Sequence, residues 1–189
     1  MQSDIERVLI DREAIDHRLD ELARQITADL QAESNGEPAE ITLVPILTGS
    51  IIFVSDLIRR LPLRMQIRLI SITSYPGTAT STRGASVEAA LTKLPESMAG
   101  CHALIIDDIL DSGQTLTLVS KIIAERGPES VRTCVLLRKQ REVAMNTPVD
   151  YVAFDVPDEF VVGYGLDYDG YYRNLPDIVT LRKEVYAGT

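Results

Sequence analysis

An apolar run, Ala103 to Ile106, ends in Asp107 and Asp108; after two more apolar residues come Asp111 and the stretch Ser112-Gly113-Gln114-Thr115. Small residues, a glycine and two hydroxyls make a turn whose backbone N–H groups can surround an anion. A helix starting there adds unpaired donors and a favourable dipole. The acids would repel that anion, so they must address something else. Carboxylates accept from vicinal hydroxyls and, as hard oxygen ligands, suit Mg²⁺. A phosphorylated sugar satisfies both halves of the stretch.

In an open parallel sheet such a site lies at the carboxyl ends of strands, where loops lead into helices. The chain supplies those elements. Ile15, Leu19, Leu22, Ile26 and Leu30 recur at helical spacing and predict an amphipathic N-terminal helix, closed by the polar connector "ESNGEPAE". Residues 41–47 read as a strand that feeds a helix over 50–61 through Thr48-Gly49. A second strand is expected over 65–73, a Ser/Thr/Gly-rich mobile loop over 74–84 and a central strand over 102–110. The helix over 114–127 is capped by Gly127, and strands follow over 131–137 and 150–157. The alternation implies a single α/β domain around a mostly parallel sheet flanked by helices.

Composition narrows the partners. The 189 residues carry a formal net charge of −9, which opposes binding to nucleic acid or to an anionic membrane surface. The opening residues lack the basic and apolar regions of a leader, and no run reaches the length of a spanning helix, so the expectation is a cytoplasmic protein acting on small molecules. Cys101 and Cys134 sit in strand-like runs and read as buried free thiols. His17 and His102 have no partner spacing and read as structural. No Ser-His-Asp, CxxC or HExxH pattern supports covalent catalysis or a zinc site.

"ALIIDDILDSGQTL" resembles the signature with which type I phosphoribosyltransferases bind 5-phosphoribosyl-1-pyrophosphate. "LLRKQREV" and "VPDEFVVGYGLDYDGYYRNLP" resemble the purine-recognition end of the hypoxanthine phosphoribosyltransferases, "LTGSIIFVSDLIRRL" their pyrophosphate loop and "TSYPGTATSTRG" their catalytic loop. The resemblance spans roughly residues 41–181. It implies a core of about 38–150 and a small hood built from the N-terminal helix and about 150–189, in a homodimer or homotetramer.

The same resemblance assigns roles. Asp107 and Asp108 hold the ribose hydroxyls and, through water, magnesium. Asp111 faces purine N7 as general base or hydrogen-bond partner, and Ser112, Gly113, Gln114 and Thr115 cradle the 5′-phosphate. Lys139 donates to O6, Phe160 stacks on the base, and the Val161 backbone pairs with its edge. Asp167 ligates a second magnesium, Arg173 contacts pyrophosphate, and Ser74 and Tyr75 close over the site. The backbone at Thr48, Gly49 and Ser50 binds pyrophosphate from a loop whose Leu47–Thr48 peptide is cis or switches between cis and trans.

Two residues depart from the pattern. Thr48 stands where the family usually has Lys or Arg, and Asp107-Asp108 where close relatives often have Glu-Asp. The implied reaction is transfer of phosphoribose to hypoxanthine, and to guanine as well. Alternatives are a xanthine- or uracil-preferring enzyme, a nucleotide- and RNA-binding regulator on the same fold, or a catalytically weak paralogue of the kind Thr48 suggests.

Overall fold

The computed structural model describes residues 1–33, 40–73, 86–87 and 94–186. After a short 3-10 turn come β1 (Ile5–Ile10), α1 (Arg12–Glu33), β2 (Glu40–Leu47), α2 (Ile51–Ile58), β3 (Arg64–Ile67), β4 (Ile70–Thr73), β5 (Ser86–Val87) and β6 (His102–Leu110). The second half contains α3 (Gln114–Ala124), β7 (Ser130–Lys139), α4 (Glu142–Asn146), β8 (Tyr151–Val156), β9 (Val161–Val162), β10 (Ile178–Leu181) and α5 (Lys183–Tyr186). Among the described residues the large sheet runs β5-β4-β2-β6-β7-β8, with β3 also beside β2. Every pairing is parallel except β4 with β5.

From Ala103 to Ile106 β6 is apolar because both faces are covered. Leu104 and Ile106 join one cluster with Phe53 and Leu57 of α2 and Leu19 and Leu22 of α1. Ala103 and Ile105 point the other way, onto Leu116, Val119 and Ile123 of α3. Alternate residues of one strand thus serve two layers, and hydrophobic burial fixes its register.

The strand expected over 65–73 is two strands in one register, interrupted opposite Pro45. Arg68 N–H donates to Leu43 O at 2.8 Å. The next donor in a parallel ladder is the N–H of residue 45, which proline lacks. Cys134 is buried, and burial pushes its thiol well up. Cys101, expected buried, is partly exposed with Sγ 3.0 Å from Met98 O.

A second sheet, β1-β10-β9, is antiparallel and joins the two ends of the chain, Val8 facing Val179 and Val161 facing Thr180. Its N-terminal contributor is β1 and not the helix that the resemblance implies. The buried face of α1 packs with Leu43, Leu104 and Leu136 of the large sheet. Arg18 of α1 donates to Val152 O and Ala153 O, each at 2.8 Å. Likewise β8, expected in the hood, is the edge strand of the large sheet. No helix among the described residues is long and apolar enough to cross a membrane.

Candidate active site

A cleft of about 370 Å³ opens at the carboxyl ends of β2 and β6, under the loop that follows β9. From β6 and its turn it is lined by Asp107, Asp108, Asp111, Ser112, Gly113 and Thr115. Thr48 and Gly49 line it after β2, and Asp167 and Arg173 from the loop after β9. Segments separated by more than a hundred residues thus meet at one place. Ile109, which also lines it, is a contact that the sequence reading did not single out.

Asp107 is buried, and burial together with the neighbouring Asp108 charge raises its carboxyl well above the ordinary range. Asp108 is raised by shielding from water, with hydrogen bonds to the Asp107 side chain and to the backbone of Ile109 and of Asp108 itself, and then the Arg173 charge, pulling the other way. The Asp108 N–H donates to Asp107 Oδ1 at 3.0 Å, and the Ile109 N–H to Asp108 Oδ1 at 2.9 Å. Asp108 lies against Gly49: a Cβ there would stand 1.6 Å from Asp108 Oδ2, so only glycine fits. Across the cleft Arg173 Nη2 is 2.6 Å from Asp167 Oδ1, and its Nη1 donates to Gly165 O at 2.7 Å.

Gly113 (φ 73°) caps α3, and no side chain caps that helix, so its first N–H groups face the cleft end with Ser112 and Thr115. The left-handed Gly113 cannot be exchanged freely, because a Cβ would meet Thr147 Oγ1 at 2.5 Å. The Leu47–Thr48 peptide is cis. Ser50, fully buried, donates from Oγ to Ile46 O at 2.5 Å and starts α2.

Gln114, Lys139, Phe160 and Val161 are not in the cleft wall. Gln114 starts α3, Lys139 ends β7, and Phe160 and Val161 lie where the chain enters β9; Arg141 and Lys139 tie the segment before Phe160 to the β6 turn and to β7. Arg141, a residue that the sequence reading passed over, holds Asp111 Oδ1 at 2.6 Å and Asp158 Oδ2 at 2.7 Å. Lys139 is buried, which draws its ammonium below the usual lysine range, and donates to the Glu159 carbonyl. Phe160 follows directly, 43% exposed, with Tyr168 edge-on at 5.7 Å and Tyr186 tilted at 5.4 Å. Val161 is buried in β9. Asp111, Lys139 and Phe160 therefore flank one neighbourhood beside the cleft. Ser74 and Tyr75 lie outside the described residues.

The sequence and the fold both have counterparts. Residues 11–169 match the phosphoribosyl transferase domain. The chain is 42% identical over 183 residues to the hypoxanthine-guanine phosphoribosyltransferase of Mycobacterium bovis, covering 97% of this chain and 89% of that one. It is 38% identical over 171 residues to the hypoxanthine phosphoribosyltransferase of Escherichia coli K12, covering 90% and 92%. The crystal structure of a hypoxanthine phosphoribosyltransferase from Staphylococcus aureus superposes with a TM-score of 0.85 at 38% identity, covering 98% and 96%. With a mostly parallel sheet flanked by helices, and the acid pair and the turn at 112–115 at its carboxyl edge, the chain belongs to the phosphoribosyltransferase family and has the type I fold.

Proposed function

We propose that the protein transfers the 5-phosphoribosyl group of phosphoribosyl pyrophosphate to hypoxanthine, and to guanine as well, releasing pyrophosphate and the nucleoside monophosphate. The observation that carries this reading is the cleft itself. It joins Asp111 and a helix-start phosphate turn, the Asp107-Asp108 pair and a Thr48-Gly49 backbone loop, with Lys139 and Phe160 beside it. The names of the M. bovis and E. coli relatives support the choice of base.

The N–H groups and hydroxyls of 112–115 receive the 5′-phosphate, and Asp107 and Asp108 accept from the ribose hydroxyls. Thr48, Gly49 and Ser50 offer backbone donors to the pyrophosphate, and Arg173 adds a cation. The base stacks on the exposed Phe160, with Lys139 at O6 and the Val161 backbone at its edge. Asp111 leaves Arg141 and takes the N7 proton as N9 bonds to C1′ and the C1′–oxygen bond to pyrophosphate breaks. Most of the acceleration comes from positioning and from excluding water, since the leaving group is already stable.

Asp107, Asp108 and Asp167 are hard donors that fit magnesium. All three line the cleft, where one or two carboxylates and substrate oxygens would together hold such an ion. Asp107, Asp108 and Asp167 would hold the ion where its charge would offset that of the departing pyrophosphate. The protein assembles as a homodimer or homotetramer, which sedimentation velocity checks.

A spectrophotometric assay with phosphoribosyl pyrophosphate, Mg²⁺ and five bases tests the reading. Hypoxanthine and guanine are consumed rapidly, while xanthine, adenine and uracil are not. Preference for xanthine or uracil, or no turnover with any base, overturns it.

A further inference from the structure

Gly163, Tyr164 and Gly165 have φ of 97°, 49° and 105°, three consecutive residues in the left-handed region. The glycines meet close approaches: a Cβ on Gly163 would lie 2.1 Å from Asp177 O, and one on Gly165 2.2 Å from Gly49 O. Tyrosine between them is unusual, since bulky side chains avoid this conformation. Its side chain, 5% exposed, runs to α2, where its hydroxyl donates to Asp56 Oδ2 at 2.7 Å.

Both ends of this link lead to the cleft without touching it. On the hood side, the Tyr164 N–H donates to Leu175 O and the Gly165 N–H to Arg173 O, both at 2.9 Å, while Arg173 grips Gly165 O and Asp167. On the other side, Asp56 lies on the helix that starts directly after Thr48, Gly49 and Ser50. Arg59 pairs with the second carboxyl oxygen of Asp56. Arg60 donates to the Asp56 carbonyl at 2.9 Å and pairs with Asp16 and Asp20 of α1 at 2.9 and 2.8 Å. Asp56 is thus a fixed post on the main body, and Tyr164 ties the hood loop to it.

We propose that Tyr164 is a positioning residue for the pyrophosphate end of the site: its hydrogen bond to Asp56 fixes the separation between the Thr48-Gly49 backbone donors and the Arg173–Asp167 pair. The inference rests on the function proposed above. A polyanion held from two bodies needs their spacing set in advance, because groups held slightly out of place forfeit much of their effect. The purine, flanked by Lys139, Asp111 and Phe160, depends on other contacts.

Tyr164→Phe removes the hydroxyl and keeps the ring. The expected result is a roughly tenfold rise in KM for phosphoribosyl pyrophosphate and a similar loss of inorganic pyrophosphate affinity by calorimetry, with purine KM within about twofold of wild type. Asp56→Asn retains an acceptor oxygen and restores most of the lost affinity relative to Asp56→Ala. The double variant Asp56→Ala/Tyr164→Phe is no worse than the worse single variant, as for two ends of one link. Unchanged pyrophosphate affinity in folded Tyr164→Phe, an equal rise in both KM values, or additive losses in the double variant overturns the inference. If Tyr164→Phe does not fold, Asp56→Ala gives the same reading. A wild type that binds pyrophosphate but converts no base sinks the proposed function instead, and the calorimetric comparison still judges Tyr164.

Discussion

The two ends of β6 and β7 treat charge in opposite ways. At the amino ends, Arg132 pairs with Asp29 at 3.2 Å and with Glu33, while Tyr151 donates to Asp29 at 2.9 Å and carries the guanidinium 5.7 Å above its ring. His102 Nδ1 meets Ser130 Oγ at 2.9 Å and stands 3.6 Å from Glu33. Acid and base lie side by side, and the cluster staples the end of α1 to the sheet. At the carboxyl end of the same β6, Asp107 and Asp108 lie side by side with backbone N–H donors on their oxygens, and both carboxyls are pushed upward. Paired charge at a partly exposed end of a sheet costs little. A buried like-charged pair is a burden on stability and marks the end of the sheet that must receive something.

The contrast breaks if carboxyl-end substitutions change stability more than turnover, or amino-end substitutions do the reverse. The largest effect belongs to Asp111→Asn, which lowers kcat by about 10²-fold or more with a smaller change in KM. Steady-state kinetics beside a melting curve checks it, and wild-type turnover removes Asp111 from the chemistry. Lys139→Ala comes next, with a roughly tenfold rise in purine KM and an unchanged KM for phosphoribosyl pyrophosphate. Equal losses for both substrates would contradict its place at the base.

Thr48→Arg sharpens the comparison from the other side by adding a cation to an end that holds mainly acids. It lowers the KM for phosphoribosyl pyrophosphate severalfold, on the order of 1 kcal/mol as for exposed pairs, most clearly at low salt where screening is weak. No change at any ionic strength means the side chain is idle. The smallest effect is at the amino end. The Arg132 hydrogen bond holds the Glu33 carboxyl below its ordinary 4.5. A depressed carboxylate contributes stability above the ordinary value and loses it as pH falls through the lowered one. Glu33→Gln therefore costs about 0.5 kcal/mol at neutral pH, the modest worth of a half-exposed pair, and nothing in strong acid, with kinetics unchanged. Denaturant titrations at both pH values check this.

Local pattern was legible wherever one stretch carried its whole reason. The β6 run, the acids after it and the turn at 112–115 are contiguous, so strand, charge and helix start could be read together. The periodicity of α1 showed its buried face in the same way. Arg141 was not legible, because its partners Asp111 and Asp158 are 30 and 17 residues away and a basic residue in "RKQR" looks like any solvated charge. Two-residue β9 and half-exposed β1 have no periodicity strong enough to announce a strand.

By itself, then, the sequence determined the α/β alternation, the glycine turn at 112–115 and the acid pair. Each depends on neighbours in the chain, through hydrophobic period, glycine freedom and charge. Tertiary structure alone decided that β1 rather than α1 completes the hood sheet, that β3 and β4 part opposite Pro45, and that Arg173 and Asp167 face Thr48 and Gly49 across one cleft. Those outcomes turn on contacts between segments more than a hundred residues apart or on a missing donor in a neighbouring strand. Such contacts follow from which surfaces bury each other and which hydrogen bonds remain to be made, and no local pattern carries that information.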